Sequence, residues 1–389
     1  MIEIKEKQNC SGCHACSNAC PQSCIKMVSD EEGFWYPQVD KEKCINCGLC
    51  EKVCPIIHKW EPDASRTTTA IAAINTNEEI RLKSSSGGLF TLIAEKIIDQ
   101  GGVVFGAAFS DDFKAVRHIC VDNQAGLEKL RGSKYVQSKI GDTYKQAKEY
   151  LDSGRKVLFT GTPCQIGGLY SYLRKPYENL LTQDIICHGV PSPMVWEKYV
   201  DFREKKSAST IKSVYFRHKK YGWKTFSVLF DFSDKMVYVK NLREDSFMKA
   251  FLKNVCLRPS CHACSFKSVK RQADITLADF WGIQAVLPEM DDDKGTSLVL
   301  VHSDKGQQML KELSSDIRKE SVDPCVSEKY NPAVSMSVAP SPQRDDFFKE
   351  ITSGDFEKTV AIYTKPTLKK RIRSFLGKVK RKVFRILKR

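Results

Sequence analysis

Two copies of one cysteine pattern in the first sixty residues constrain this chain more than any other feature. The first copy runs from Cys10 to Cys20-Pro21, and the second repeats the same spacing from Cys44 to Cys54-Pro55. Three thiolates at this spacing can bind three irons of a four-iron cube, and the fourth cysteine, before the proline, reaches the neighbouring cube. The pattern therefore predicts two [4Fe–4S] clusters, each with its own set of ligands. We expect a first group of Cys10, Cys13, Cys16 and Cys54, and a second group of Cys20, Cys44, Cys47 and Cys50.

The same spacing is typical of bacterial two-cluster ferredoxins, so residues 1–60 are predicted to form a ferredoxin module. The alternatives are zinc and disulfides. Zinc sites use pairs of ligands rather than three closely spaced cysteines and a fourth, which makes zinc the weaker interpretation. Cys24 lies outside the pattern and is expected to be an unliganded thiol.

The chain of 389 residues is long enough for two or three domains. It has no run of 18 apolar residues, and its first residues, MIEIKEKQNC, lack the apolar centre of a signal peptide. Together with 16 cysteines, these features predict a cytoplasmic protein in which thiols stay reduced and available to metal.

The net charge of +15 is concentrated at the C-terminal end. Residues 359–389 contain many Lys and Arg but no Asp or Glu, and the remainder is nearly balanced. Apolar residues recur there every three or four positions from Leu368 to Leu387, which predicts a basic amphipathic helix. Such a helix suits the anionic inner face of the plasma membrane, and a solvated charged tail is the alternative. Because the body is balanced in charge, nucleic-acid binding is not expected.

Between the module and the tail, apolar patterns alternate between strand and helix spacing. The predicted class is therefore α+β or α/β, with a partly parallel sheet, outer helices and an antiparallel meander over 211–240. We expect a ferredoxin module, a linker, a mixed α/β domain, a C-terminal extension and the basic tail, at 1–60, 61–67, 68–325, 326–358 and 359–389.

A further cysteine cluster lies in the mixed domain, in the stretch CLRPSCHAC. With a fourth cysteine at the end of a predicted strand, it forms a candidate metal site. From spacing alone, zinc and a third [4Fe–4S] cluster are equally compatible with it, and Cys164 is another candidate for the fourth ligand. The predicted ligands are Cys187, Cys256, Cys261 and Cys264.

Three polar loops of the mixed domain predict a nucleotide cofactor. Each joins predicted elements and supplies glycines, hydroxyls and backbone N–H groups, which suit phosphate binding, although a simple helix cap also explains the first loop. The loops are Ser84, Ser85, Ser86, Gly87 and Gly88; Gly132, Ser133, Lys134, Tyr135, Val136, Gln137 and Ser138; and Gly161, Thr162, Pro163, Cys164 and Gln165.

These loops, with DIICHGVPSP at 184–193, CLRPSCHAC and DITLADFWG at 274–282, resemble the beta subunit of coenzyme F420 (a deazaflavin) hydrogenases and dehydrogenases. The resemblance covers about residues 1–325. It is greatest to a bacterial branch with a fused N-terminal ferredoxin that is linked with surface-polysaccharide gene sets. It implies an FAD contacted by the three loops, and a [4Fe–4S] cluster beside it on Cys187, Cys256, Cys261 and Cys264. Ala278 stands where the family commonly has glycine.

The expected function is an iron–sulfur flavoprotein oxidoreductase with three [4Fe–4S] clusters and FAD. Electrons from a soluble, ferredoxin-like donor would reach a small-molecule substrate or coenzyme. Lys134 is a candidate for charge near the flavin, and His188 for a proton donor, with a structural histidine that bonds the turn as the alternative for His188. The alternative function is a non-catalytic electron-transfer or scaffold subunit of a membrane-associated complex.

Overall fold

The computed structural model describes residues 1–62 and 66–365. The predicted amphipathic helix from Leu368 to Leu387 therefore lies outside the described residues, as does part of the expected linker. Within the described ranges, no helix is long and apolar enough to cross a membrane.

The N-terminal module is a short hairpin flanked by two short helices. Both helices begin after a residue with positive φ, His14 at 64° and Gly48 at 70°, and each places one cysteine of its ladder on a buried helix face. The elements are α1 (Ala15–Ala19), β1 (Ile25–Ser29), β2 (Trp35–Val39) and α2 (Leu49–Lys52).

The body is built on one mixed sheet of eight strands. Its central strands are buried on both faces and read as continuous apolar runs, which is why the sequence pattern located them. The first half of the body comprises β3 (Thr69–Asn75), α3 (Glu78–Lys83), α4 (Leu89–Asp99), β4 (Val103–Phe109), β5 (Val116–Val121), α5 (Gln124–Leu130), α6 (Thr143–Asp152), β6 (Val157–Thr160), α7 (Pro163–Leu173), β7 (Leu180–Ile185) and α8 (Pro193–Ser207).

The second half supplies the antiparallel meander and the remaining strands of the sheet. It comprises β8 (Ile211–His218), β9 (Ser227–Phe232), β10 (Val237–Asn241), α9 (Ser246–Leu252), β11 (Ile275–Asp279), α10 (Ile283–Val286), β12 (Ser297–Val301), α11 (Asp304–Glu312), β13 (Ile317–Val322), α12 (Cys325–Tyr330), α13 (Arg344–Ile351) and α14 (Phe356–Tyr363). The pattern did not indicate α3, α5, α10, β13 or α12 to α14, which are short or mostly polar.

The large sheet has the order β13-β3-β12-β11-β7-β6-β4-β5. Strands β4, β6, β7 and β11 are parallel, and the other pairs are antiparallel. The carboxyl ends of the four parallel strands therefore meet at one edge, where ligand sites of such sheets collect. Strands β8 to β10 form the separate three-stranded meander. The predicted mixed α/β class is confirmed.

The module packs into the body, with α1 against α7. Cys13, Ala15 and Val53 share an apolar core with the body. The hairpin turn of the module is held to α13 by an ion pair between Glu32 and Arg344, with two hydrogen bonds of 2.5 and 2.8 Å. At the other end of the chain, residues 359–363, assigned by the sequence pattern to the tail, belong to α14, where Thr359 and Val360 are buried.

Trp196 lies at the centre of the largest apolar core and offers a test of this packing. It is fully buried, and its indole N–H donates to the Phe113 carbonyl at 2.8 Å. We expect Trp196→Ala to lower the free energy of unfolding by about 3–5 kcal/mol, because it leaves a cavity and an unpaired carbonyl. Trp60→Ala, at a side chain that is 37% exposed, is the control and should cost less than about 1 kcal/mol in denaturant unfolding. Equal losses in the two variants would contradict the assigned core.

Candidate active site

The first group of cysteines gathers between α1, α2 and the body. Burial, together with the neighbouring Cys10 and Cys54, raises the pKa of the Cys13 thiol to about 12. The pKa of Cys16 is also raised, by burial and by the other three thiols of the group. The structure thus brings Cys10, Cys13, Cys16 and Cys54 together in the set that the crossed ladder predicts.

The second group lies nearer the surface of the module. Cys20, Cys44, Cys47 and Cys50 line one small cavity, and Cys47 is exposed. The backbone N–H of Ile2 donates to the Cys50 sulfur at 3.3 Å, the kind of bond that tunes iron–sulfur ligands. Cys24, expected to be unliganded, lines the same cavity with its sulfur 3.3 Å from that of Cys20.

A third group of cysteines lies in the body, and its membership differs from the prediction. Burial raises the pKa of the Cys164 thiol well above its usual range, and Cys264, Cys187 and Cys261 raise it further. These residues line one small cavity, where the Val190 N–H donates to the Cys261 sulfur at 3.4 Å. We call Cys164, Cys187, Cys261 and Cys264 the body group.

Cys256 is not brought to the body group. It is fully buried in the apolar core, and burial raises the pKa of its thiol to about 12. The reason is local: Leu257 bridges Pro191 in antiparallel fashion, and the Ser192 N–H bonds the Cys256 carbonyl. This pairing turns the Cys256 side chain into the core. Cys164, which the sequence offered only as an alternative to Cys187, lies beside Cys187 and takes the place predicted for Cys256.

Converging buried thiols are the donor set of a thiolate-bound metal centre. Each thiol here raises its neighbour's pKa, so ionisation is unfavourable without a bound cation. Among the residues that the structure describes, no three His, Cys, Asp or Glu side chains could hold a single metal ion. In a four-iron cluster each thiolate binds a separate iron.

The three predicted loops surround one central cavity of about 620 Å³. It opens at the carboxyl ends of β6, β7 and β11, as the sheet topology requires. Its wall includes Cys187 and His188, which also line the cavity of the body group. The central cavity therefore adjoins the body group. Ala278, the departure from the family's glycine, lies in its wall.

Hydrogen bonds tie the loops to one another. The Ser133 N–H donates to Ser85 Oγ at 2.8 Å, which joins the first loop to the second. Gln165 Nε2 donates to Ser138 Oγ at 3.0 Å, which joins the third loop to the second. The loops are therefore a preformed frame, and Gly88 at φ 88° begins α4 beside it.

Among the predicted cofactor contacts, some have hydroxyls that already donate to the backbone, and others do not line the cavity. Ser84 and Ser86 donate to the carbonyls of Ile80 and Thr296, at 2.7 and 2.9 Å. Gln137 Nε2 instead donates to the Ser11 carbonyl of the module at 3.2 Å. The loop residues that line the cavity are Ser84, Ser85, Ser86, Gly88, Gly132, Ser133, Lys134, Tyr135, Val136, Ser138, Gly161, Thr162 and Gln165; Gly87, Gln137, Pro163 and Cys164 are not among its lining residues.

The two predicted catalytic side chains are both engaged by the protein. Lys134 Nζ donates to three carbonyls at the end of α5, at 2.8–3.0 Å, and burial lowers its pKa to about 7. His188 Nε2 bonds Asn254 Oδ1 at 2.8 Å, and burial lowers its pKa. Lys134 thus caps a helix, while His188 keeps a place in the cavity wall.

Arg217 is a cavity residue that the sequence did not reveal. It is 6% exposed, and its guanidinium lies 3.8 Å from the Phe226 ring centre and 2.7 Å from an Asp279 oxygen. Its Nε is buried with no hydrogen-bond partner among the described residues, as is Gln183 Oε1 in the same wall. These unpaired groups fit a polar cofactor or substrate. The sequence could not reveal Arg217, because a single Arg in a predicted strand does not indicate a ligand site.

Arg258 joins the first group to the body group. It is fully buried, and it donates to the carbonyls of Cys10 and Trp35, at 2.8 and 3.0 Å. Its own carbonyl accepts from the Cys261 N–H at 3.0 Å. Nearby, Cys13 Sγ lies against Gly168 of α7, where an added Cβ would approach it to 3.0 Å. The module is thus fixed close to the body group.

Comparison with known proteins agrees with this arrangement. Residues 154–324 match the family described as the C-terminal part of the coenzyme F420 hydrogenase/dehydrogenase beta subunit, and residues 9–56 match the 4Fe-4S dicluster domain. The chain therefore carries the C-terminal domain of the coenzyme F420 hydrogenase/dehydrogenase beta subunit family together with an N-terminal 4Fe-4S dicluster domain. The family resemblance drawn from the loops and cysteines is confirmed, and with it an N-terminal [4Fe–4S] domain.

Two curated relatives match parts of the chain. An uncharacterized protein of Methanocaldococcus jannaschii is 26% identical over 199 residues, covering 44% of this chain and 54% of that one. A component of the F(420)H(2) dehydrogenase of Methanosarcina mazei is 18% identical over 174 residues, covering 42% and 49%. The chain thus spans about half the length of these two relatives.

Among solved structures, a chain of the F420-reducing [NiFe] hydrogenase complex from Methanosarcina barkeri is 18% identical, with a TM-score of 0.48. The match covers 78% of this chain and 93% of that one.

Cys164 and Cys256 form a matched pair for testing the body group. We expect Cys164→Ser to lower metal content per chain, because it removes a converging thiolate, whereas Cys256→Ser should leave it unchanged. Both variants would be purified without oxygen and assayed for iron, zinc and acid-labile sulfide. Loss of metal in Cys256→Ser, with retention in Cys164→Ser, would show the assignment of the body group to be wrong.

His118 provides a pH test of the loop frame. It bonds Ser138 and the Thr160 carbonyl, each at 2.9 Å, and burial lowers its pKa to about 4. In the unfolded chain its pKa is near 6.5, so the unfolded state binds the proton first. The contribution of His118 to the free energy of unfolding should therefore be fully present above pH 6.5. It should be lost progressively as the pH falls from 6.5 to 4.

The measurement is denaturant unfolding at pH 7 and pH 5. We expect His118→Gln to be less stable at pH 7 but to lose less on acidification than the unchanged protein. The control is His58→Gln, at an exposed position, which should keep the original pH dependence. An identical loss on acidification in His118→Gln would rule out this histidine as its source.

Proposed function

We propose that this chain is an iron–sulfur flavoprotein oxidoreductase that carries electrons from a donor at the module's surface to an organic acceptor in the central cavity. One observation carries the proposal: the body group and the central cavity share the wall formed by Cys187 and His188. The proposed ligands are the first group, the second group and the body group, each for one [4Fe–4S] cluster. When bound, such clusters carry single electrons and FAD stores two.

The three groups lie in an order that suits this task. The second group is the most exposed, with Cys47 at the surface and Ile45 61% exposed beside it. The first group is more buried, and Gln8, Ser11 and Ile56 from its neighbourhood line the cavity of the body group. A ferredoxin-like donor would therefore dock beside Ile45, while the inner groups are shielded from water.

The central cavity supplies what a flavin nucleotide requires. Its volume is typical of sites for organic ligands, and its polar loops offer backbone N–H groups for phosphates. Arg217 and Gln183 offer unpaired polar atoms, and Tyr135 and Trp281 offer aromatic surface. His188, held by Asn254, would orient a ligand against the body group. We propose either a deazaflavin coenzyme or a precursor of surface polysaccharide as the acceptor, following the family resemblance.

A second candidate is an electron-transfer subunit without a substrate of its own. It is favoured by the name of the Methanosarcina mazei relative, which is one subunit of a dehydrogenase. In this case the central cavity would face a partner subunit. A peripheral position on the inner face of the plasma membrane also remains a proposal, because its predicted helix lies outside the described residues.

Cofactor content tests the proposal first. After anaerobic purification or reconstitution, we expect about twelve irons per chain, from three four-iron clusters, and one FAD released on denaturation. Arg217→Met should lower the FAD retained, because it removes the buried cation of the cavity wall. Arg318→Met, at an exposed position of β13, is the matched control and should retain it. A colourless protein that holds only zinc would refute the proposal.

Reoxidation separates the two candidates. The holoprotein would be reduced chemically without oxygen and mixed with candidate acceptors, the deazaflavin coenzyme included. Rapid reoxidation of the flavin by one acceptor is expected of an enzyme. Reoxidation only by redox proteins would instead favour the electron-transfer subunit.

A further inference from the structure

A second cavity lies between the meander and the helices α8, α9 and α14. Its volume is about 820 Å³, and it shares no lining residue with the central cavity. We call it the basic groove. Helix α9 separates the two cavities, because Ser246 and Lys249 line the groove whereas Met248 and Phe251 line the central cavity.

The basic groove combines apolar and cationic surfaces. Phe232, Met236, Val237, Tyr238 and Val360 supply apolar side chains, and Val237 is 54% exposed. The acidic lining residues are Glu244 and Glu357, and Glu357 already pairs with Lys206 at 2.9 Å. The basic lining residues are Arg203, Lys206, Lys240, Arg243, Lys249, Lys253 and Lys365.

The basic groove contains a buried arginine, Arg203, whose guanidinium is incompletely hydrogen-bonded. Its side chain is 5% exposed, and its guanidinium lies 3.9 Å from the ring centre of Tyr238. The Nε atom is buried without a hydrogen-bond partner among the described residues, and Nη2 reaches Ser246 Oγ only at 3.4 Å. A buried guanidinium that lacks acceptors is unfavourable, so an acceptor from a ligand would stabilise it.

The carboxylate of Asp245 attracts the Arg203 guanidinium through space but accepts no hydrogen bond from it. Asp245 accepts hydrogen bonds from the hydroxyls of Tyr199 and Tyr238 and from the Met248 N–H, at 3.1 Å for Tyr238 and 2.8 Å for Met248. Asp245 therefore offsets part of the charge of Arg203 but leaves its Nε without an acceptor. Within the described part of the chain, Lys240, Arg243, Lys249 and Lys253 also have no carboxylate partner.

We infer that the basic groove binds an anionic amphiphile, a phosphate-bearing group joined to an apolar body. The phosphate would lie against Arg203 and the lysines of the rim, because Arg forms paired bonds with phosphate. The apolar body would cover Phe232, Val237 and Val360. This chemistry is that of an acidic lipid or a lipid-linked phosphate, and a soluble phosphate ester shares only its charged part. The inference is independent of the proposed redox function.

The test uses the full-length holoprotein and three probes in 0.15 M salt. The probes are short-chain phosphatidylglycerol below its micelle concentration, phosphatidylcholine with the same chains, and inorganic pyrophosphate. Equilibrium dialysis measures their binding. We expect saturable binding of one phosphatidylglycerol per chain, with at least about ten-fold weaker binding of the other two probes. Phosphatidylcholine lacks the net negative charge, and pyrophosphate lacks the apolar chains.

Charge reversal at the rim assigns the binding to the groove. Lys240→Glu with Arg243→Glu should weaken phosphatidylglycerol binding at least about ten-fold, because two attractive charges become repulsive. Lys311→Glu with Lys319→Glu, at exposed positions on α11 and β13, is the matched control and should change it less than about two-fold. Arg203→Lys, which keeps the charge but loses the planar fork, should also weaken binding.

Three results would overturn the inference. Unchanged binding in the Lys240→Glu, Arg243→Glu variant would place the lipid elsewhere on the chain. Equally tight pyrophosphate would show a plain phosphate site, and equally tight phosphatidylcholine would show that the cations are not used. Because Lys240 and Arg243 are at the rim rather than in the core, the double variant remains informative even if a change at Arg203 prevents folding.

Discussion

The insertion of Arg258 between the N-terminal module and the body is the contact on which the site depends. This guanidinium is fully buried without a carboxylate partner among the described residues, and it binds carbonyls of the module instead. The first group of cysteines lies on one side of Arg258, and the body group lies on the other. A buried cation is costly alone, and the negative charge of thiolate-bound clusters would offset that cost. The module and its metal chemistry are therefore coupled through one side chain.

The sequence predicted those features that depend on local spacing. The cysteine ladder determined both module groups, including the crossed Cys20 and Cys54, because the reach of a short loop leaves few alternatives. The glycines and hydroxyls of the three loops also indicated a ligand site, and the fold gathers these loops around one cavity. Spacing predicted Cys256 as a ligand and offered Cys164 only in place of Cys187. It could not exclude Cys256, because a single bridge between residues 191 and 257 sets which side chain faces the core. Arg217 and Arg203 likewise acquire meaning only from tertiary contacts.

The serines of the loops around the central cavity have two different structural roles. Ser84 and Ser86 satisfy backbone carbonyls, whereas Ser85 and Ser138 hold neighbouring loops together. Lys134 neutralises the end of α5 rather than a ligand. The cavity wall is consequently held by its own hydrogen bonds, which leaves backbone groups and Arg217 as the groups available to a ligand. Helix α9 faces both the central cavity and the basic groove.

The Glu32–Arg344 pair has a consequence for how electrons could be delivered. It clamps the hairpin of the N-terminal module to a helix near the opposite end of the chain, while α1 is packed on α7. A domain held at two such separate points cannot move as a whole between an electron donor and a distant acceptor. Any transfer between clusters of the module and the body would instead proceed by tunnelling over a separation that the fold has fixed, so the rate of that internal step would be insensitive to solvent viscosity.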